Sequence, residues 1–433
     1  MKEKVFSKFL RRQVLLIGLL YMGDYLFFFF EQNYFNTYLD HVLYLPELFI
    51  SIMVSLSATV GLISMPLWGI ASDNTRTKYG RRRLFLLFGI IAGFGMVLFS
   101  FAYLLFGRTQ IAFIWCLIID VLLIGITSNA FLVAERALIP DTIELEKRGR
   151  ANGIINSISY IGLLIGVAFL LLGNELFGIP DPRPGATGTI ITQDGHMILL
   201  STGGLLFAIV GIIGFFFLKE KPVSELPEKK KFFTELKQTF NLTELKSHKE
   251  FFKILLARVV FQSGISSIMP FLFIFIFDQG LETLQLLIGI AIAFPWIFIA
   301  TIYLGRLSDK FGRKRFVPIS MIIVSMGYLL MPFASGNYIL FIIGLPFVLI
   351  GVLSLITPLN AWSQDLLPED KRGKFTGILN IVNTVSQIIG SLAGGIVATL
   401  FGISWIFVLG PVFFIASIPL FLKVKETVNL KIK

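Results

Sequence analysis

A run of ~20 apolar residues is long enough to cross the ~30 Å hydrocarbon layer of a bilayer as a helix. This chain contains twelve such runs. They fall at roughly 12–37, 47–71, 84–106, 110–135, 151–172 and 197–218, then 251–277, 284–305, 316–334, 338–361, 375–400 and 404–422. Backbone at membrane depth has no water to bond, so each run is expected as a helix and the chain as an all-α membrane protein. Only 15% of residues are charged, against ~25% in ordinary soluble domains, which excludes a soluble enzyme and intrinsic disorder. Cys116 is the one cysteine and cannot close an intrachain disulfide. No Cys/His cluster, nucleophile–base pair or phosphate-binding loop is visible, so neither enzyme activity nor a cofactor or bound metal is expected. Lys2, Lys4, Lys8, Arg11 and Arg12 precede the first run as in a signal peptide, but Asp24 and Glu31 interrupt it and no cleavage pattern follows. A retained first helix is therefore expected.

The net charge of +11 would suit nucleic acid if the cations were spread over a surface. They are not. Of 38 Lys and Arg, 35 lie in the segments on the N-terminal side of the membrane, while Arg108 and Arg183 face the other side and Arg258 is inside the seventh run. The positive-inside rule then places both termini in the cytoplasm of a multi-pass cell-membrane protein. The basic surplus becomes a topology signal with affinity for anionic lipid, and nucleic acid drops out as a partner.

The halves repeat each other. Arg148-Gly149-Arg150 followed by Gly153-Ile154-Ile155-Asn156 matches Arg372-Gly373-Lys374 followed by Gly377-Ile378-Leu379-Asn380, at an offset of 224 that Asp141 and Asp365 also keep. Gly69 to Asp73 matches Gly305 to Asp309, and each copy ends in a glycine and a basic triplet, Gly80 to Arg83 and Gly312 to Arg315. Both copies lie on one side, so the chain is expected as two parallel six-helix repeats. The expected domains are a first bundle over 1–218, a cytoplasmic linker over 219–250 and a second bundle over 251–433. Phe233, Leu236 and Phe240 recur at helical spacing among lysines in the linker, the pattern of an amphipathic helix on the inner leaflet.

Gly305-Arg306-Leu307-Ser308-Asp309 through Arg315 resembles the loop signature of the major facilitator superfamily, which implies that fold over the whole chain. The first copy, from Gly69 to Arg83, has four extra residues between Asp73 and Gly80. It resembles the plant sucrose/proton symporters and their animal sugar-transporter relatives in the glycoside–cation symporter branch, as do Glu31 to Tyr34 and Arg136 to Asp141. One departure stands out: where plant sucrose carriers have an acidic residue in helix 4, this chain has Gly125, with Asp120 five residues away. Sodium-coupled melibiose carriers are more distantly similar and place paired aspartates in helix 2, which here has no carboxylate beyond Glu47. A proton is thus favoured over sodium as coupling ion.

Away from helix ends the runs hold four charged side chains, Asp24, Glu31, Asp120 and Arg258. Each costs at least ~2.5–3.5 kcal/mol at the bilayer centre, which calls for a polar cavity or mutual pairing. The superfamily resemblance implies that helices 1, 4, 7 and 10 line a central cavity, and the four charges fall on three of these. Asp24, Glu31 and Asp120 are the expected proton carriers. Arg258, Gln262, Asn33, Asn129, Asn156, Asn380, Asn383, Gln387 and Trp296 are the expected solute contacts, amides suiting hydroxyls and an indole suiting a sugar face. Asp73, Gly80, Arg81, Arg136, Asp309, Gly312 and Arg313 are the expected gate, with Asp73 meeting the start of helix 11 near Gly373 and Asp309 the start of helix 5 near Gly149. Arg136, with Glu135, is expected to complete the first bridge. The expected function is proton symport of a neutral hydroxylated solute, a sugar or glycoside, by alternating access. A drug or metabolite antiporter is the alternative, and a receptor or lipid-handling protein a third. No obligatory protein partner is expected beside the solute and lipid.

Overall fold

The computed structural model describes residues 7–220, 247–367 and 372–428. The expected linker helix around Phe233, Leu236 and Phe240 lies outside them. Helices α1 (Lys8–His41), α2 (Glu47–Asn74), α3 (Arg83–Ser100), α4 (Gln110–Thr142), α5 (Leu145–Phe177) and α6 (Gln193–Phe217) come first. Then follow α7 (Lys249–Asp278), α8 (Thr283–Phe311), α9 (Arg313–Phe333), α10 (residues 338–365), α11 (Arg372–Phe401) and α12 (Ile403–Phe421). Strands β1 (Gly178–Pro180) and β2 (Thr189–Ile191) pair in the connection from α5 to α6. Ten described helices are long and apolar enough to cross a membrane, and the remaining two expected spans lie on α8 and α10, with shorter apolar stretches at Leu284–Ala293 and Tyr338–Leu349.

By packing, the chain divides into two units. The first comprises Met1–Tyr44, Thr59–Ile179 and Ile191–Phe240; the second comprises Leu45–Ala58, Pro180–Ile190 and Asn241–Lys433. The N-terminal turns of α2 thus belong to the second unit, where Ser55 Oγ lies 2.8 Å from Ser391 Oγ and the Leu48 N–H donates to Thr399 Oγ1 at 3.0 Å.

Small residues let helices approach where lipid supplies no hydrophobic drive between them. In the first unit Gly162 and Gly166 of α5 face the Met22 carbonyl and the Phe29 ring of α1. In the second unit Gly390 and Gly394 of α11 face the Ser263 and Ser267 carbonyls of α7. Ser386 adds a bond from its hydroxyl to the Val259 carbonyl at 3.1 Å. Gly166 and Gly390, like Gly162 and Ser386, stand 224 apart, the offset of the loop repeat. Between α3 and α6 the approach is glycine on glycine. Gly93 and Gly204 each lie against the other's carbonyl.

Among the described residues three helices contain a π-turn. A π-turn occupies Glu31–Phe35 in α1, Ile119–Ile124 in α4 and Ile350–Ser354 in α10. Such a turn breaks the i→i−4 ladder, and in a membrane the freed carbonyls must find donors inside the protein. Asn33 Nδ2 donates to the Phe29 carbonyl at 2.7 Å, Asn36 Nδ2 to the Gln32 carbonyl at 2.6 Å, and Thr127 Oγ1 to the Leu123 carbonyl at 2.6 Å. Two of the three π-turns contain a carboxylate, Glu31 in one and Asp120 in the other.

Candidate functional site

The acidic residues of α1 and α4 converge inside the first unit. Asp24 and Glu31 stand seven residues apart and so share a face of α1. Glu31 is within electrostatic reach of Asp24 and of Asp120, which is 3% exposed. Asp24 is within reach of Arg136, and Glu135 of both Asp24 and Arg136. Tyr21, one helical turn before Asp24, borders the same group. The result is a line of four carboxylates, Glu135, Asp24, Glu31 and Asp120, with the Arg136 guanidinium at one end.

Glu135 is the residue that sequence reasoning undervalued. Hydropathy ends the fourth span at 135, which makes Glu135 a boundary residue attached to a gate. In the structure α4 continues to Thr142, and Glu135 is 0% exposed. Neither of its carboxylate oxygens has a hydrogen-bond partner among the described residues. Arg136 on the next position is exposed and acts on Asp24 and Glu135.

The expected solute contacts have varied settings. Asn33 spends its donor on the Phe29 carbonyl, and Asn129 Nδ2 donates to Ser64 Oγ at 2.9 Å, so both brace helices. Asn156 on α5 and Asn383 on α11 are exposed, Gln387 is half-buried, and the Asn380 side chain lies outside the described set. Trp296 on α8 is exposed. In the second unit Arg258 is 3% exposed, with Nη1 donating to Ser363 Oγ at 3.0 Å and Nε without an acceptor among the described residues. Gln262 one turn on has its Oε1 similarly unmet. Between α2 and α4 an open groove of about 440 Å³ is lined by Val60, Ile63, Leu67, Trp68, Ala71 and Ile126, with Ser64 the polar exception.

Asp73 and Arg81 of the expected gate lie in one ion-pair network and Asp309 and Arg313 in a second, one network in each unit, whereas Arg136 lies beside Asp24 and Glu135 instead. In the first, Arg81 reaches Asp141 at 2.5 Å, while Arg82 binds Asp73, Asp141 at 3.0 Å and Ser72 Oγ at 2.5 Å. In the second, Arg313 alone spans Asp365 at 2.6 Å and Asp309 at 3.1 Å. Asp141 and Asp365, noticed in the sequence only as repeat markers, are the acceptors that tie each loop to α4 or α10. The side chains around Gly373 lie outside the described set.

A carboxylate following α6 completes the first network. Glu220 accepts the backbone N–H groups of Arg81, Arg82 and Arg83 at 2.7–3.1 Å. Gly80 makes room: its φ is +107°, and a Cβ there would meet the Glu220 carboxylate at 2.7 Å. After α12, Glu426 accepts the Lys314 N–H at 2.8 Å, the equivalent bond in the second unit. Hydrogen bonds to a charged acceptor contribute about 1.5–3 kcal/mol. Glu220→Ala should therefore lower stability by about that amount, and Glu426→Ala by less, as seen by thermal unfolding in detergent. The difference arises because, of the three N–H groups that Glu426 accepts, only that of Lys314 is distant in sequence. Equal effects would refute this ranking.

A model of the Major Facilitator Superfamily matches residues 13–304 and 287–433. The multi-drug resistance efflux pump PmrA of Streptococcus pneumoniae is 27% identical over 367 residues, 82% of this chain and 80% of that protein. The multidrug resistance protein MdtG of Proteus mirabilis is 35% identical over 166 residues, 37% of this chain and 39% of that protein, so this match spans well under half of it. Among solved structures, a D-xylose–proton symporter superposes with a TM-score of 0.67 at 14% identity, covering 97% of this chain and 99% of that one. At that identity the likeness speaks for the fold alone.

Proposed function

The chain belongs to the major facilitator superfamily, and from that premise we propose that it is a proton-coupled antiporter that exports an apolar or cationic organic solute, with both termini cytoplasmic. The observation that carries the reading is the line of carboxylates held at membrane depth in one unit, with Glu135 wholly buried and both oxygens unbonded among the described residues. A carboxyl group that alternates between a dry interior and water takes up and gives back one proton per cycle, and an antiporter needs no more than that. No nucleotide-binding motif is visible in the sequence, so the energy source is taken to be a gradient.

Export of a drug-like solute, rather than sugar uptake, is supported by the two named relatives, both efflux or resistance proteins. The apolar groove beside Trp68 is in keeping with it. Sugar symport stays as the second reading because of the Gly69–Arg83 loop, with its four extra residues between Asp73 and Gly80.

Proteoliposomes separate the two. With the lumen acid, the antiporter accumulates ethidium as protons leave. With the outside acid, a symporter accumulates sucrose. Sucrose uptake driven from the acid side, without ethidium exchange, would overturn the antiport reading.

A further inference from the structure

At the basic end of α1 a cavity of about 490 Å³ opens on the surface of the first unit. Lys8, Arg11, Arg12, Leu16, Leu19 and Ile158 are among the residues that line it. Ile158, on α5, is seated directly on α1 because Gly18 has no side chain: a Cβ there would meet Ile158 Cδ1 at 2.6 Å. All three cations are exposed, and none forms an ion pair among the described residues. Arg12 is oriented by the Phe217 ring of α6, 5.8 Å from its guanidinium carbon.

We propose that this cavity is a binding site for one anionic phospholipid, the phosphate held by Lys8, Arg11 and Arg12 and an acyl chain lying along Leu16, Leu19 and Ile158. Charge and shape select the occupant together. A zwitterionic lipid would leave the cations incompletely matched. A free anion would leave the apolar walls uncovered. The positive-inside rule puts this end of α1 at the inner leaflet, where anionic lipids concentrate and long basic side chains reach the headgroup layer. The site is separate from the carboxylate line and from the loop networks, and it does not depend on the antiport reading.

The test uses the full chain in detergent, with thermal unfolding followed as phosphatidylglycerol or phosphatidylcholine is added, and native mass spectrometry counting retained lipids. The wild type should be stabilised by phosphatidylglycerol in preference to phosphatidylcholine. Arg11→Gln/Arg12→Gln should bind phosphatidylglycerol about 30-fold more weakly, at ~1 kcal/mol per basic residue near the surface. The matched control Lys423→Gln/Lys425→Gln, on the other terminal segment, should behave as wild type. Leu16→Trp fills the groove without changing charge and should also lose the retained lipid. It decides the matter if the Arg11/Arg12 variant does not fold. Three outcomes overturn the proposal: undiminished phosphatidylglycerol preference in the Arg11/Arg12 or Leu16 variants, an equal loss in the Lys423/Lys425 control, or the same stabilisation from inorganic phosphate alone.

Discussion

Glu135→Gln will abolish gradient-driven transport while leaving the folded protein as stable as wild type or more so. Glutamine matches glutamate in shape, and Glu135 makes no hydrogen bond among the described residues that the change would break. An ionised carboxylate with no hydrogen bond in a dry interior is expensive, so a neutral amide at 0% exposure relieves cost rather than adding it. What the amide cannot do is exchange a proton. Each pH unit is worth ~1.36 kcal/mol per proton, so one-for-one exchange across two units sustains about a 100-fold solute gradient. In the variant that ratio should fall to about 1. Solute-for-solute exchange at equal pH should persist, since alternating access does not itself consume the proton. Asp24→Asn should show the same split. Continued accumulation under a pH gradient in both variants would move the coupling site elsewhere, whereas loss of exchange as well would make these residues structural.

Gly93→Ala should cost ~3 kcal/mol, at or beyond the upper end of overpacking substitutions. The added methyl meets the Gly204 carbonyl, which is backbone and has no rotamer to move into. Gly204→Ala meets the Gly93 carbonyl in the same way. The double substitution should cost less than the sum of the singles, because one separation of α3 from α6 relieves both clashes. Gly153→Ala is the counterpart: nothing lies within 4 Å of a Cβ there, so stability should hold or rise. Unfolding titrations in mixed micelles measure all four. A neutral Gly93→Ala would mean that α3 and α6 part easily.

The helices were legible because hydropathy accumulates residue by residue, and a bilayer admits few other backbone conformations. The paired loops were legible through the match of Gly69 to Asp73 with Gly305 to Asp309, and the separate offset of 224 picked out Asp141 and Asp365 before any contact was known. Glu220 had no comparable signal beyond being acidic just after the sixth span. Its role depends on the loop of Arg81 to Arg83 folding back over it. The π-turns at Glu31 and Asp120 were hidden as well, since an extra residue per turn leaves no trace in composition. Asn33 has a structural bond that its sequence position did not announce. An amide at membrane depth suggests a ligand, and here one of its N–H groups bonds the Phe29 carbonyl just before the π-turn.

The sequence by itself determined an all-α membrane chain with an internal repeat, and it confined the chemistry to a handful of carboxylates and one buried arginine. Only the tertiary structure decided which of them lie together. Glu135 looked like a boundary residue because hydropathy falls away there, but in the folded chain it is wholly buried and within reach of Asp24 on α1. Burial and electrostatic proximity are properties of residues distant along the chain, so no window on the sequence contains them.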